Sequence, residues 1–176
     1  MAMSRDRGTR WSCLFLGLLI SASSFATDID FTLAEGFQLE TVLQEPQVQQ
    51  PLSLNFDERG RLWVVQYLQF PFPAGLKVVG HDKYWRIQYD KFPPPPPPHG
   101  VPGLDKVTIY EDTNGDGQFD AQKDFVTGLN IATSALPGRG GIWVMNPPYL
   151  LFYPDANQDD IPDSDPIVHT CRTEVW

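Results

Sequence analysis

An internal repeat constrains this chain more than any other feature. Tyr110-x-Asp112-x-Asn114-x-Asp116-x-x-x-Asp120 recurs 43 residues later as Tyr153-x-Asp155-x-Asn157-x-Asp159-x-x-x-Asp163. Each copy follows a short apolar run, Val107 to Tyr110 and Leu150 to Tyr153. A second pair matches as well: Gly60-x-Leu62-Trp63-Val64 and Gly140-x-Ile142-Trp143-Val144, offset by 80 residues. The two offsets agree once a long insertion, residues 67–105, is removed from the first unit. In the second unit only Pro147-Pro148-Tyr149 fills the same place. A period near 43 with about four short strands per unit is the spacing of propeller blades.

The local pattern is that of an all-β chain. Leu52 to Phe56 alternates apolar and polar, Asp57 to Gly60 is a turn cluster, and Arg61 to Gln66 is rich in β-branched and aromatic residues. Lys106 to Glu111, Gly141 to Asn146 and Leu150 to Tyr153 read as further strands. After the N-terminal segment no window holds a helical period. The expectation is a partial β-propeller of about two blades of four-stranded antiparallel sheet, spanning 27–176, with one long inserted loop. A plain β-sandwich is the alternative. Two blades cannot close a ring, which needs at least about four, and exposed terminal units want a cap. The chain is therefore expected to be the N-terminal part of something longer.

Residues 1–26 have the order of a secretory signal peptide: basic Arg5, Arg7 and Arg10, an apolar run from Trp11 to Ile20, then Ser24-Phe25-Ala26. The apolar run is about a dozen residues, short of the roughly 20 that a spanning helix needs. A signal helix, cleavage after Ala26, and a periplasmic or extracellular location follow as expectations, with a membrane anchor as the alternative. No transmembrane segment is expected after cleavage. The whole chain has a formal charge of −9, and removing three Arg and one Asp leaves 10 basic against 21 acidic residues. Nucleic acid is a poor partner for such a chain. Cys171 alone remains after cleavage, so no internal disulfide forms, and there is no Cys-x-x-Cys-His haem motif.

Ten of the acidic residues fall within 111–124 and 155–165. Alternating Asp and Asn at the first, third and fifth places of a tight loop gather side-chain oxygens, as a hard cation requires. The first loop offers Asp112, Asn114, Asp116, the Gln118 carbonyl and Asp120. The second offers Asp155, Asn157, Asp159, the Ile161 carbonyl and Asp163. Calcium in a structural role is the expected cofactor. Both loops depart from the full pattern: the twelfth place, normally Glu, is Lys123 or Pro166, and Gly115 and Gly117 become Gln158 and Asp160. Turn capping by Asp, Asn and Gly is the competing explanation. No catalytic residue can be assigned. His81, His99 and His169 lack metal-ligand spacing, and Arg139-Gly140-Gly141 reads as a hairpin turn.

The insertion is aromatic and basic in its front half, from Tyr67 to Phe92, and ends in six prolines, Pro93 to Pro98. It is either a linker or a loop held stiffly over one face of the domain.

The stretches DERGRLWVVQY (57–67), KYWRIQYDKFPPPPPPH (83–99), DKVTIYEDTNGDGQFD (105–120) and PGRGGIWVMNPPYLLFYPDANQDDIPD (137–163) together resemble the N-terminal propeller of large exported proteins of planctomycetes and related bacteria, described as membrane-bound dehydrogenases or haem-binding proteins. The resemblance covers roughly residues 30–170. It implies a propeller distantly similar to quinoprotein sugar dehydrogenases, followed by helical repeats and a cytochrome segment. It also implies oxidation of a sugar or alcohol with electrons passing to haem. Quinone and haem would belong to the full-length family and not to this chain, which is expected to be inactive alone. Its partners would be the remaining blades and the cytochrome domain, with a carbohydrate or small alcohol as ligand. The alternative is a secreted, calcium-stabilised β module that binds a glycan or protein through the aromatic insertion.

Overall fold

The structure, a computed structural model, describes residues 32–96 and 98–170. The expected signal segment and signal helix, Cys171 and the tail lie outside the described residues. The chain divides into two units, at Leu39 and Glu40. The described part of the first is a turn in which the Phe37 N–H donates to the Ala34 carbonyl (3.2 Å). All strands among the described residues belong to the second unit. Among the described residues there is no helix, and so no helix long and apolar enough to cross a membrane.

Two four-stranded antiparallel meanders and one hairpin make up this unit. The first sheet runs β1 (Pro51–Phe56), β2 (Leu62–Gln66), β5 (Asp105–Glu111), β6 (Ala121–Leu129), in that spatial order. The second runs β7 (Ser134–Pro137), β8 (Gly141–Asn146), β9 (Tyr149–Pro154), β10 (Ile167–Thr170). Within the insertion, β3 (Val78–His81) pairs with β4 (Ile87–Tyr89). The expected strands all form, and the two sheets correspond to the two repeat units. The expected long inserted loop carries a hairpin of its own.

The sheets come closest at their first strands, β1 and β7, where the Asn55 amide donates to the Ala135 carbonyl (2.6 Å). Their facing sides share one core. Trp63, Val65, Val107, Ile109, Phe125 and Leu129 of the first sheet meet Ile142, Val144, Tyr149, Leu151 and Tyr153 of the second. The burial patterns explain the sequence patterns. β2 is buried on both faces, so it reads as a continuous apolar run; β9 alternates buried and half-buried residues because only one face is covered. The outer face of the first sheet is covered by residues 43–48. Leu43 and Val48 pack there on Leu62, Val64 and Tyr110, and the Tyr110 hydroxyl donates to the Gln47 carbonyl (2.7 Å).

In a meander every second turn lies at the same end. The turns at 57–61 and 138–140 and both acidic loops therefore share one end, and the insertion leaves from the other. Asp105 is the hub of that other end. Fully buried, it accepts hydrogen bonds from the amides of Gln69 (2.6 Å) and Ala132 (2.8 Å), tying the insertion to the β6–β7 link. Burial pushes its carboxyl pKa up, against the opposing effect of these amide donors. Asn130 bridges to Ala74 in both directions (2.9 and 3.1 Å). The proline run is docked where the Tyr149 hydroxyl donates to the Pro93 carbonyl (2.6 Å), and it turns where the His99 N–H donates to Pro96.

Replacing Asp105 with Ala leaves buried amides without acceptors. Urea unfolding should show a loss of about 2–4 kcal/mol, and a loss under about 0.5 kcal/mol would show that the hub is dispensable.

Candidate functional site

The two acidic loops share most of their internal wiring, offset by 43 residues. In the first, Asp112 accepts from the amides of Gly115 (2.7 Å), Asp116 (3.2 Å) and Gly117 (2.8 Å). Asn114 accepts from Asp116 N–H (2.9 Å), Asp116 from Gln118 N–H (2.8 Å), and Asp120 from Thr113 N–H (2.9 Å). In the second, Asp155 accepts from Asp159 (3.1 Å) and Asp160 (3.3 Å), Asn157 from Asp159 (3.3 Å), Asp159 from Ile161 (3.0 Å), and Asp163 from Ala156 (2.7 Å). The amide bonds from Gly117 and Gly115 hold the Asp112 carboxyl below the usual range; those from Thr113 do the same for Asp120. Among the described residues no three His, Cys, Asp or Glu side chains converge to hold a metal ion.

The loops differ in what surrounds them. Gly115 and Gly117 of the first sit at positive φ, 78° and 88°, and Gln158 and Asp160 of the second keep that backbone, at 57° and 64°. Both side chains reach back to the first sheet. Asp160 accepts from the Arg61 guanidinium (2.7 Å), and Gln158 Oε1 from that of Arg59 (2.7 Å). The Lys123 ammonium donates to the Asp159 carbonyl (2.7 Å). Three cations of the first sheet thus converge on residues 158–160.

Arg61 is the centre of this latch. It is buried and also pairs with Asp57 (2.8 Å), which accepts from the Trp63 indole N–H (2.9 Å). Burial alone would raise the Asp57 pKa, but hydrogen bonds from Trp63 and Arg61 outweigh it and hold the carboxyl below its ordinary value. Burial would likewise lower the Arg61 pKa, and bonds to Asp160 and Asp57 raise it instead. Arg139, Gly140, Gly141 and Asp155 complete the walls of a polar cleft of about 240 Å³ around this network.

The chain matches DUF7133, a domain of unknown function, over residues 26–172. It belongs to the DUF7133 family. No curated protein and no solved structure matches it. The match takes in both sheets, both acidic loops and the insertion, so the latch and the hub at Asp105 lie within one family domain.

The structure brings the ten expected ligand residues into two loops at one end and places none of the three histidines with them. His81 meets Trp85 edge-to-face (4.4 Å) and His169 lies near Trp143 (5.7 Å). Sequence reasoning missed Arg59, Arg61 and Lys123 as partners of the second loop. The available signal was the replacement of two loop glycines by residues with polar side chains.

Asp160→Gly would relieve a left-handed residue yet strip a buried guanidinium of one partner. The second effect should win, with a net loss of about 1–3 kcal/mol in urea unfolding at neutral pH. Because the folded pKa of Asp57 lies below its unfolded value of about 3.8, its stabilisation is complete above that value and is lost as pH falls through the folded pKa. Arg61→Met should flatten the acid limb of the stability profile. An unchanged acid limb, or a neutral Asp160→Gly, would mean that the latch contributes nothing.

Proposed function

We propose that the two sheets are consecutive blades of a β-propeller in an exported, dehydrogenase-like protein, and that residues 40–170 supply architecture, not a reaction centre. One observation carries this reading. Equivalent residues of the two repeats face equivalent sides, but only one sheet has a neighbour there. Trp63 is buried against the second sheet, whereas Trp143, its counterpart, lies half-buried on the second sheet's other side. That side carries an apolar cross-strand row, Leu136–Trp143–Phe152–Ile167, whose ends are more than half exposed. Among the described residues no strand covers it. Tyr110 and Tyr153 agree: each is buried on the opposite side of its sheet, toward residues 43–48 and the first sheet respectively. A third sheet would do for Trp143 what the second does for Trp63.

The resemblance of the sequence to exported dehydrogenase-like propellers supports sugar or alcohol oxidation as the activity of the completed ring, in the periplasm or outside the cell. Quinone and haem would then be held by other parts of the protein. The second-loop latch argues that calcium, if bound, belongs to the first loop. There Asp112, Asn114, Asp116, Asp120 and the Gln118 carbonyl form the all-oxygen donor set of a hard cation, and left-handed glycines leave the loop free to draw Asp116 and Asp120 inward.

Two measurements test the blade reading together. The purified chain should self-associate in sedimentation runs at tens of micromolar, and Trp143→Asp with Phe152→Asp should restore the monomer. Supplied with a quinone, an aldose and a dye acceptor, it should show no turnover. A monomeric parent, or turnover from the chain alone, would count against the proposal. Calcium at millimolar levels should raise the thermal midpoint by several degrees, an effect lost in Asp116→Ala and retained in Asp159→Ala; no rise in the parent would remove calcium from the account.

A further inference from the structure

We propose that the tip of the β3–β4 hairpin binds an anionic polysaccharide, with Trp85 and Tyr84 as stacking platforms and Lys83 as the main cationic contact. The hairpin makes few contacts with either four-stranded sheet, so its tip stands clear. Its geometry is fixed by Asp82. One carboxylate oxygen accepts from the amides of Tyr84 (2.8 Å) and Arg86 (3.0 Å), the other from the Arg86 guanidinium (2.6 Å). The Trp85 N–H donates to the Asp82 carbonyl (3.0 Å), and the Asp82 N–H to the Arg86 carbonyl (3.0 Å).

This turn holds Trp85 at a φ of 64°. Bulky residues rarely adopt that conformation, and they keep it only where the surroundings impose it. Gly or Asn would make the same turn with less strain. Folding gains little from the indole, which is 78% exposed and meets only the edge of His81. A strained, preorganised and exposed Trp is what a ligand platform requires, since a rigid ring loses little entropy when a ligand stacks on it. Tyr84 is likewise exposed, with the Lys83 ammonium 4.9 Å and the Arg86 guanidinium 5.5 Å from its ring centroid.

Charge selects the ligand. Lys77, Lys83, Arg86 and Lys91 lie within fifteen residues, in a chain of net charge −9. The two carboxylates of that stretch are turned onto local donors, Asp82 as above and Asp90 onto the Lys77 amide (2.8 Å). Size decides against a folded protein partner, because a stable protein interface buries roughly 1,200–2,000 Å², far more than a five-residue convex tip offers. A sugar ring bearing a carboxylate or sulfate needs one aromatic face and one or two cations. The inference stands whether or not the two sheets join a larger ring.

Affinity electrophoresis through gels holding polygalacturonate or alginate, with dextran as the neutral control, tests the proposal. The parent chain should be retarded by the anionic polymers and not by dextran, less so as salt rises. Trp85→Gly suits the left-handed backbone and should keep the parent's thermal midpoint while weakening binding at least tenfold. Lys83→Gln should weaken it severalfold and reduce its salt dependence. Absence of retardation, equal retardation by dextran, or full binding by Trp85→Gly would overturn the assignment. So would an oligonucleotide or an acidic peptide that displaces the protein tenfold more effectively than the free polysaccharide, which would make the tip a site for that polymer instead.

Discussion

Trp63 is held from two directions, and the arrangement of the two sheets depends on it. Its indole N–H donates to Asp57, which anchors the ring to the β1–β2 turn. Its face meets the edge of Phe125 at 5.2 Å, and Phe125 meets Tyr153 of the second sheet at 6.5 Å. Edge-to-face contacts of this kind add directional preference to apolar burial. The apolar part of the contact drives the sheets together without fixing their relative position. The polar part does that, because Asp57 is also the partner of Arg61, and Arg61 reaches across to Asp160. The Trp63 that fills the core is therefore bonded to the network that sets the register between sheets.

This coupling explains how two loops with closely similar internal hydrogen bonds come to do different work. In the second loop, three cations of the preceding sheet find acceptors: Arg61 pairs with the Asp160 carboxylate, Arg59 meets the Gln158 side chain, and Lys123 the Asp159 carbonyl. The first two of these acceptors are side chains of left-handed residues. The strain of Gln158 and Asp160 is offset by contacts that glycine could not make. In the first loop the equivalent residues are glycines, and residues 43–48, which include no Lys or Arg, lie where a preceding sheet would be and pack through Leu43 and Val48. Its carboxylates are met by donors within the loop, among them backbone amides and the Thr113 hydroxyl. The same loop thus serves as a joint in one repeat and stays open in the other. The difference arises from two substitutions and from what stands beside them.

Much of this architecture was legible in the sequence. The 43-residue echo, the alternation in Leu52–Phe56 and the short apolar run Leu150–Tyr153 marked the strands and the two units, because period and turn chemistry are local signals. β6 was hidden by its polar first half, Ala121-Gln122-Lys123-Asp124, which lies outside the core. β3 and β4 were hidden because each is too short to show a period and the run between them contains Asp82 and two aromatics. Of the latch only one half was legible, the polar side chains at 158 and 160 where the first loop has glycines, and not the partners they meet. Arg59 and Arg61 meet Gln158 and Asp160 across 99 residues, and nothing in one sequence links such positions. Asp105 was equally silent: an Asp at the start of a strand reads as a turn residue, and its burial follows only from how the insertion folds over it.

The separation of charge between the two ends follows from the topology and gives the basic hairpin its meaning. Strands of six or seven residues at about 3.3 Å each put roughly 20 Å between opposite ends of a sheet. Exposed charges are screened over about 8 Å at physiological ionic strength. The carboxylates of the acidic loops therefore do not cancel the field of cations at the insertion end, and the net charge of −9 describes neither end. A chain that placed Lys83 beside Asp116 would have no positive surface to offer. Here a single strand, β5, separates the insertion from the first acidic loop, so the meander sends the acidic rim and the aromatic, cationic arm out from opposite ends of the sheet.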